Sequence, residues 1–370
     1  MSLGIVLHAI LLFVPYRDPD GSGHSILEWV VEIVHGFRMP LFFLLSGYFT
    51  ALLLSRRGVL RTAWQRVLRI GVPLIIGWYT LIPLVPWLGE EMIVKIIRSG
   101  NLPAYYYTPE FAAETAAAGE PAPPGLVHLW FLWYLLILFV IIVAVVGLVR
   151  LALRMTGRDA VPSWLKTLAI GVFVVTPVIT EATTPIAEFG PSTESTWTPS
   201  IGIVMYYLAF YSVGALLFGR NANGAPAIYR LQKWWPWLLG AGVAVFHPLA
   251  ISLTSVAWLS ASAQVAYAWV VTFGMIGLFK AALSKERFSV RFLSDSSYWL
   301  YLSHLPVILL LQGWFGFFTL PGILEATLIA VITTVSMLVV YVIAVRYTPL
   351  GWLLNGRRSF AADRQAVASR

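Results

Sequence analysis

The chain has 370 residues, of which 59% are hydrophobic and 11% charged, with 16 Trp, whereas a soluble domain carries roughly 25% charged residues. That composition excludes an ordinary soluble domain and predicts an integral membrane protein. Several segments supply the roughly 17 to 25 apolar residues of a helical span, and alternating strands of the outer-membrane barrel kind are absent. The expected fold is all-α, a polytopic transmembrane bundle. No cysteine is present, which excludes disulfides, thiolate metal sites and a cysteine nucleophile. A net charge of +8 reads in such a chain as orientation in the membrane, with no nucleic acid as partner.

Ten apolar runs follow one another at about 2–15, 33–54, 66–88, 127–149, 164–182, 199–219, 234–255, 258–282, 296–317 and 322–345, separated by charged or Pro/Gly-rich breaks. With the first run starting inside, the inward segments hold every one of the 25 basic residues except Arg17, Arg38, Lys95 and Arg98. Both termini are therefore expected in the cytoplasm. Glu90, Glu91, Glu110, Glu114, Glu120, Glu181, Glu188 and Glu194 fall in outward loops. Residues 1–356 read as a single transmembrane domain and 357–370 as a polar, basic cytoplasmic tail.

The first run is shorter than a span and has neither a basic flank nor a signal-peptide cleavage site, so the native first span is expected to begin upstream of Met1. His8 lies seven residues before Pro15, roughly 10 Å below the outer boundary at 1.5 Å per residue. Such a histidine either works or bonds a carbonyl on a neighbouring helix. The same two readings apply to His304, expected in the inner half of a later span. His24 and His128 are expected to be ordinary interfacial residues. For His247, before Pro248, function and helix-kink chemistry are both open.

The second run contains HGFRMPLFFLLSGYF, residues 35–49, and ends at Arg56 and Arg57. Arg38 precedes Arg56 by 18 residues, roughly 27 Å along a helix, which sets Arg38 near the outer boundary. His35 shares its face one turn earlier. A cation there costs about 2.5–3.5 kcal/mol on insertion scales unless it finds a partner or a wet cavity; the bland alternative is snorkelling to the headgroups. Arg66 and Arg69, one turn apart in WQRVLRIGVPLIIGW, join Arg56, Arg57 and Arg61 in a basic rim. That rim suits a polyanionic donor or, more plainly, topology and anionic membrane lipid. The loop at about 89–125, with Tyr105, Tyr106 and Tyr107, is either part of an outer substrate surface or a solvated connector. There is no Walker A loop, no G-x-G-x-x-G at a strand-to-helix turn, no H-E-x-x-H and no H-x-x-x-x-D.

HGFRMPLFFLLSGYF followed by WQRVLRIGVPLIIGW resembles the second and third spans of the membrane-bound acyltransferase 3 family. FLSDSSYWLYLSHLPVI is similar to its late segment, YYLAFYSVGALLFG to a mid-chain segment, and LGIVLHAILLF to its first span. The resemblance implies a bacterial inner-membrane enzyme that moves an acyl group from a cytoplasmic acyl-CoA, succinyl-CoA before acetyl-CoA, to a hydroxyl of an extracytoplasmic carbohydrate. It makes His8 the catalytic histidine and matches Arg66, Arg69 and His304 to family positions. The family's arginine eleven positions before that histidine would fall before Met1. On this reading His8 is the base, Arg38 with His35 or the group around Ser46 and Gly47 stabilises the oxyanion, and Arg57, Arg66, Arg69, Ser46 and His304 contact the donor; no metal or resident cofactor is expected. A transporter or flippase for an anionic or lipid-linked saccharide, and an envelope scaffold or sensor, are the readings from other classes.

Overall fold

The structure is a computed structural model and describes residues 2–11, 26–99, 125–183, 189–219, 226–229, 231–285, 287–316, 318 and 320–356. Helices occupy each of the ten apolar runs, and no strand occurs among the described residues. They are α1 (Ser2–Leu11), α2 (Ile26–Arg66), α3 (Val72–Ser99), α4 (Trp130–Met155), α5 (Ser163–Thr183), α6 (Ile201–Leu216), α7 (Trp235–Ala241), α8 (His247–Ser252), α9 (Ala257–Ala282), α10 (Phe288–Phe315), α11 (Gly322–Val340) and α12 (Pro349–Asn355). Among the described residues, six helical stretches are long and apolar enough to cross a membrane: Ile26–Met92, Val127–Met155, Ser163–Thr183, Ala227–Ser252, Ala257–Ala282 and Gly322–Val345. Large apolar side chains such as Leu60, Leu148, Leu168 and Ile343 are exposed on them, as lipid-facing surfaces require.

Helices dominate because a chain in lipid must satisfy its backbone internally, and the polar side chains follow the same rule. Thr62, Thr80, Thr176, Ser303 and Thr334 each donate to the carbonyl four residues earlier. Within α2 the helix breaks at Gly58, whose φ of 73° and ψ of 177° suit a residue without Cβ. A π-helical turn, Val67–Gly71, then joins α2 to α3. The loop expected from residue 89 begins later, since α3 runs on to Ser99. Leu88 and Met92 pack there with Val85 and Leu309, and Glu91 stands four residues before Lys95 on the helix surface. The rest of that loop with its three tyrosines, His24 in the first loop, and the tail 357–370 lie outside the described residues.

The chain forms two compact units. The first combines Met1–Val31, Val72–Leu129 and Glu286–Arg370. Its core gathers Ile5, Ala9 and Ile10 of α1 with Leu300, Ile308 and Leu311 of α10 and Ala326, Ile329 and Met337 of α11. The second combines Glu32–Gly71 and Trp130–Lys285 and has an aromatic core. Phe43 sits 4.5 Å from Tyr207, and Phe210 stacks on Trp269 at 3.9 Å between ring centroids.

Candidate functional site

In the first unit three imidazoles converge. The His8 ring lies 5.2 Å from that of His304, and the His128 ring 5.4 Å from that of His304. His8 is half-buried, while His304 and His128 are 4% and 6% exposed. Packing of α1 against α10 brings the pair together, and buried Gln312 reaches across with Nε2 donating long hydrogen bonds of 3.4 and 3.5 Å to the carbonyls of His8 and Ala9.

The hydrogen bonds fix the tautomers. Nδ1 of His304 lies 2.7 Å from the Tyr301 carbonyl and 3.0 Å from that of Leu300. Carbonyls only accept, so Nδ1 carries the proton and Nε2 the lone pair. Nε2 of His128 is 3.0 Å from the Leu302 carbonyl, which by the same argument leaves the lone pair on Nδ1. That carbonyl is open because Pro306, four residues on, has no N–H to offer it. The Tyr301 hydroxyl donates to the His128 carbonyl at 2.6 Å, locking the turn Val127–Leu129 to α10.

One expectation changes here. His128 is not an interfacial residue but a buried one packed on His304. His304, expected in the inner half of its span, meets both His8 and the start of the fourth span.

The second unit holds the arginine motif. Arg38 is 9% exposed and buried in α2. His35 accompanies it, its Nε2 donating to the Pro191 carbonyl at 3.1 Å, where Gly190 has a φ of +104° and its N–H bonds Gln264 Oε1 at 2.8 Å. A Cβ on Gly190 would strike the His35 ring. On the far part of α2, Arg66 donates from Nη2 to Thr50 Oγ1 at 2.6 Å, and Thr50 bonds the Tyr211 hydroxyl at 2.7 Å. The Arg66 guanidinium also lies 6.0 Å from the Phe139 ring. Arg69 is half-buried in the π-helical turn. Arg57 is exposed and donates to Gln65 Oε1 at 3.0 Å.

Ser46 is half-buried. Beside it Gly47 is filled by the Tyr211 backbone, and Gly214 by the Leu44 backbone. The small residues of LLSGYF therefore serve close approach of α2 and α6. Glu181, expected in an outward loop, instead ends α5 as a buried carboxyl, 4% exposed, lining a small cavity with Thr180, Ser192 and Tyr206. His247 Nε2 donates to Glu32 Oε2 at 2.9 Å.

Of the residues singled out from sequence, the structure thus brings His8 to His304 and Arg66 to a buried hydroxyl chain, and it buries Arg38 one turn after His35 on α2. His128 and Glu181 were missed as site material. For His128 the available signal was Pro306, whose missing N–H calls for a donor at Leu302.

Comparison with known proteins gives the ancestry of the chain. Over 96% of its length the chain is 24% identical to glucans biosynthesis protein C of Escherichia coli O157:H7, covering 92% of that protein. It is 36% identical over 87 residues to the protein of the same name from Escherichia coli K12, a match spanning 23% of this chain and only 21% of that relative. No solved structure matches. An acyltransferase domain model matches residues 1–345, and with its apolar helices the chain belongs to the membrane-bound acyltransferase 3 family.

Proposed function

We propose that this protein is an O-acyltransferase of the bacterial inner membrane, with both termini in the cytoplasm, moving a succinyl or acetyl group from a cytoplasmic acyl-CoA to a hydroxyl of an extracytoplasmic carbohydrate such as a periplasmic glucan. The observation that carries it is the His8 and His304 pair in a chain of acyltransferase ancestry. His304 is buried with its Nδ1 committed to carbonyls, whereas His8 is half-buried and hence the imidazole a substrate can touch.

A sugar hydroxyl is a poor nucleophile at neutral pH and needs a base as it attacks. In the proposed reaction its oxygen bonds to the thioester carbonyl carbon, the C–S bond breaks, and the hydroxyl proton passes to His8 and from there to the departing sulfur. The oxyanion formed on the way needs a positive group or donor in a water-poor site, worth roughly 3–4 kcal/mol, for which Arg38 is the candidate and Ser46 a second. His35 stands one turn before Arg38 with its Nε2–H spent on the Pro191 carbonyl and so offers the oxyanion no donor in its neutral form. Gly47 itself packs against the Tyr211 backbone. Arg66 and Arg69, with Arg57, are assigned to the donor's phosphates. Thr50 orients Arg66 through one nitrogen and leaves the fork of the guanidinium to bind an anion.

The test is mass spectrometry of periplasmic glucan and envelope polysaccharide from cells carrying the gene, the empty vector or His8→Ala. Acyl ester is expected with the gene and absent from both controls. Undiminished ester with His8→Ala at equal membrane levels would remove His8 from the mechanism. Saccharide export without any acyl ester would favour a transporter.

A further inference from the structure

Resting on the reading above, we propose that His128 is a positioning residue for the acyl transfer, accepting a hydrogen bond at Nδ1 from the protonated form of His304. Three observations converge on it. The His128 ring is buried edge-on to His304, with 80° between the ring planes. Its Nε2–H is spent on the Leu302 carbonyl. Its Nδ1 is buried and has no hydrogen-bond partner among the described residues, a state that costs about 1–3 kcal/mol and so asks for a use.

That use follows from the tautomers. In the resting state His304 Nε2 and His128 Nδ1 both carry lone pairs, and no hydrogen bond joins them. When the proton taken from the hydroxyl by His8 is shared with His304, Nε2 of His304 becomes a donor, and Nδ1 of His128, on the ring packed 5.4 Å away between centroids, is the buried acceptor assigned to it. The proton thus has a second holding place between leaving oxygen and reaching sulfur. The titratable groups whose rings face His304 are His8 from α1, Tyr301 from its own helix and His128 from the turn before α4; Glu325 is the buried carboxyl on α11, which also packs against α10. Among the described residues no three His, Cys, Asp or Glu are arranged to hold a metal ion, so the cluster is read as proton chemistry.

A purely structural His128 would be needed for Nε2 and the Leu302 carbonyl alone. The two roles separate chemically, because Gln can keep a donor near the position of Nε2 while Asn keeps an acceptor near that of Nδ1. His128→Ala and His128→Gln are expected to lower the rate at saturating substrates about tenfold or more, the scale of a charge-assisted hydrogen bond, with KM for donor and acceptor little changed. His128→Asn should retain more activity than His128→Gln. A fully active His128→Gln beside an inactive His128→Asn, or an unaffected His128→Ala, overturns the proposal. A second measurement does not depend on turnover: in full-length protein labelled with 15N-histidine and held in lipid nanodiscs, the His304 Nε2 resonance near its titration midpoint is expected to shift in His128→Gln. An unchanged resonance also overturns it. If His8→Ala retains acylation, the reading of the reaction fails while the nitrogen resonance still decides the contact.

Discussion

In the unit built from most of α2 with α4 to α9, two basic side chains meet side chains that can share charge: His247 rests on Glu32 and Arg66 on Thr50, while His35 bonds the Pro191 carbonyl. In the unit built from α1, α3, α10 and α11, the imidazoles of His304 and His128 bond main-chain carbonyls instead. A carboxylate or hydroxyl can stabilise a cation in place, but a carbonyl that accepts one N–H fixes a neutral tautomer and leaves a lone pair. The first arrangement suits holding a fixed charge and the second suits taking up a proton. That contrast underlies the proposed assignment of donor phosphates to the arginines and of proton transfer to His8 and His304.

The largest effect is expected where the arginine-bearing helix depends on contact rather than charge. Gly47 and Gly214 each receive the other helix's backbone, and backbone cannot move aside as a flexible side chain can. Overpacking usually costs about 1–3 kcal/mol; Gly47→Leu should exceed that and remove folded protein from the membrane, read as loss of a monodisperse peak in detergent. An unchanged peak would mean α2 and α6 are not held by this contact. His8→Ala, by contrast, is expected to leave the peak intact and remove only acyl ester.

How much of this was visible beforehand differs between the units for a physical reason. The all-helical fold, the ten apolar runs and the family were legible, because lipid imposes a length and composition that a sequence records directly. So was the pairing of His8 and His304 as histidines of interest, though not their contact. Depth counted along one helix placed His304 in the inner half of its span, and only the packing of α10 on α1 and on the turn at His128 aligns the three rings. Glu181 looked like a loop acid because TEATTP reads as polar punctuation, yet the last turn of α5 buries it against α6.

Smaller perturbations sharpen the comparison. A hydrogen bond to a charged group contributes roughly 1.5–3 kcal/mol, and the 18% exposure of the Glu32 side chain puts His247→Ala toward the lower end. A clear fall in thermal unfolding temperature with acyl transfer retained is expected; loss of transfer at unchanged stability would make that pair part of the chemistry and blur the division between the units. The mildest change is Tyr211→Phe, which removes one hydroxyl from the chain Arg66–Thr50–Tyr211 and leaves Thr50 still accepting from Arg66. One hydrogen bond is worth about 1 kcal/mol, so a rise of up to about fivefold in KM for acyl-CoA is expected, with the saturated rate unchanged. A fall in the saturated rate instead would place the hydroxyl chain in the transfer step, since an interaction made only in the transition state lowers kcat and kcat/KM together. An unaltered KM would mean that Arg66 is held well enough by Thr50 alone, and Thr50→Val, which strands both the Tyr211 hydroxyl and the Arg66 nitrogen, then becomes the variant that must raise it.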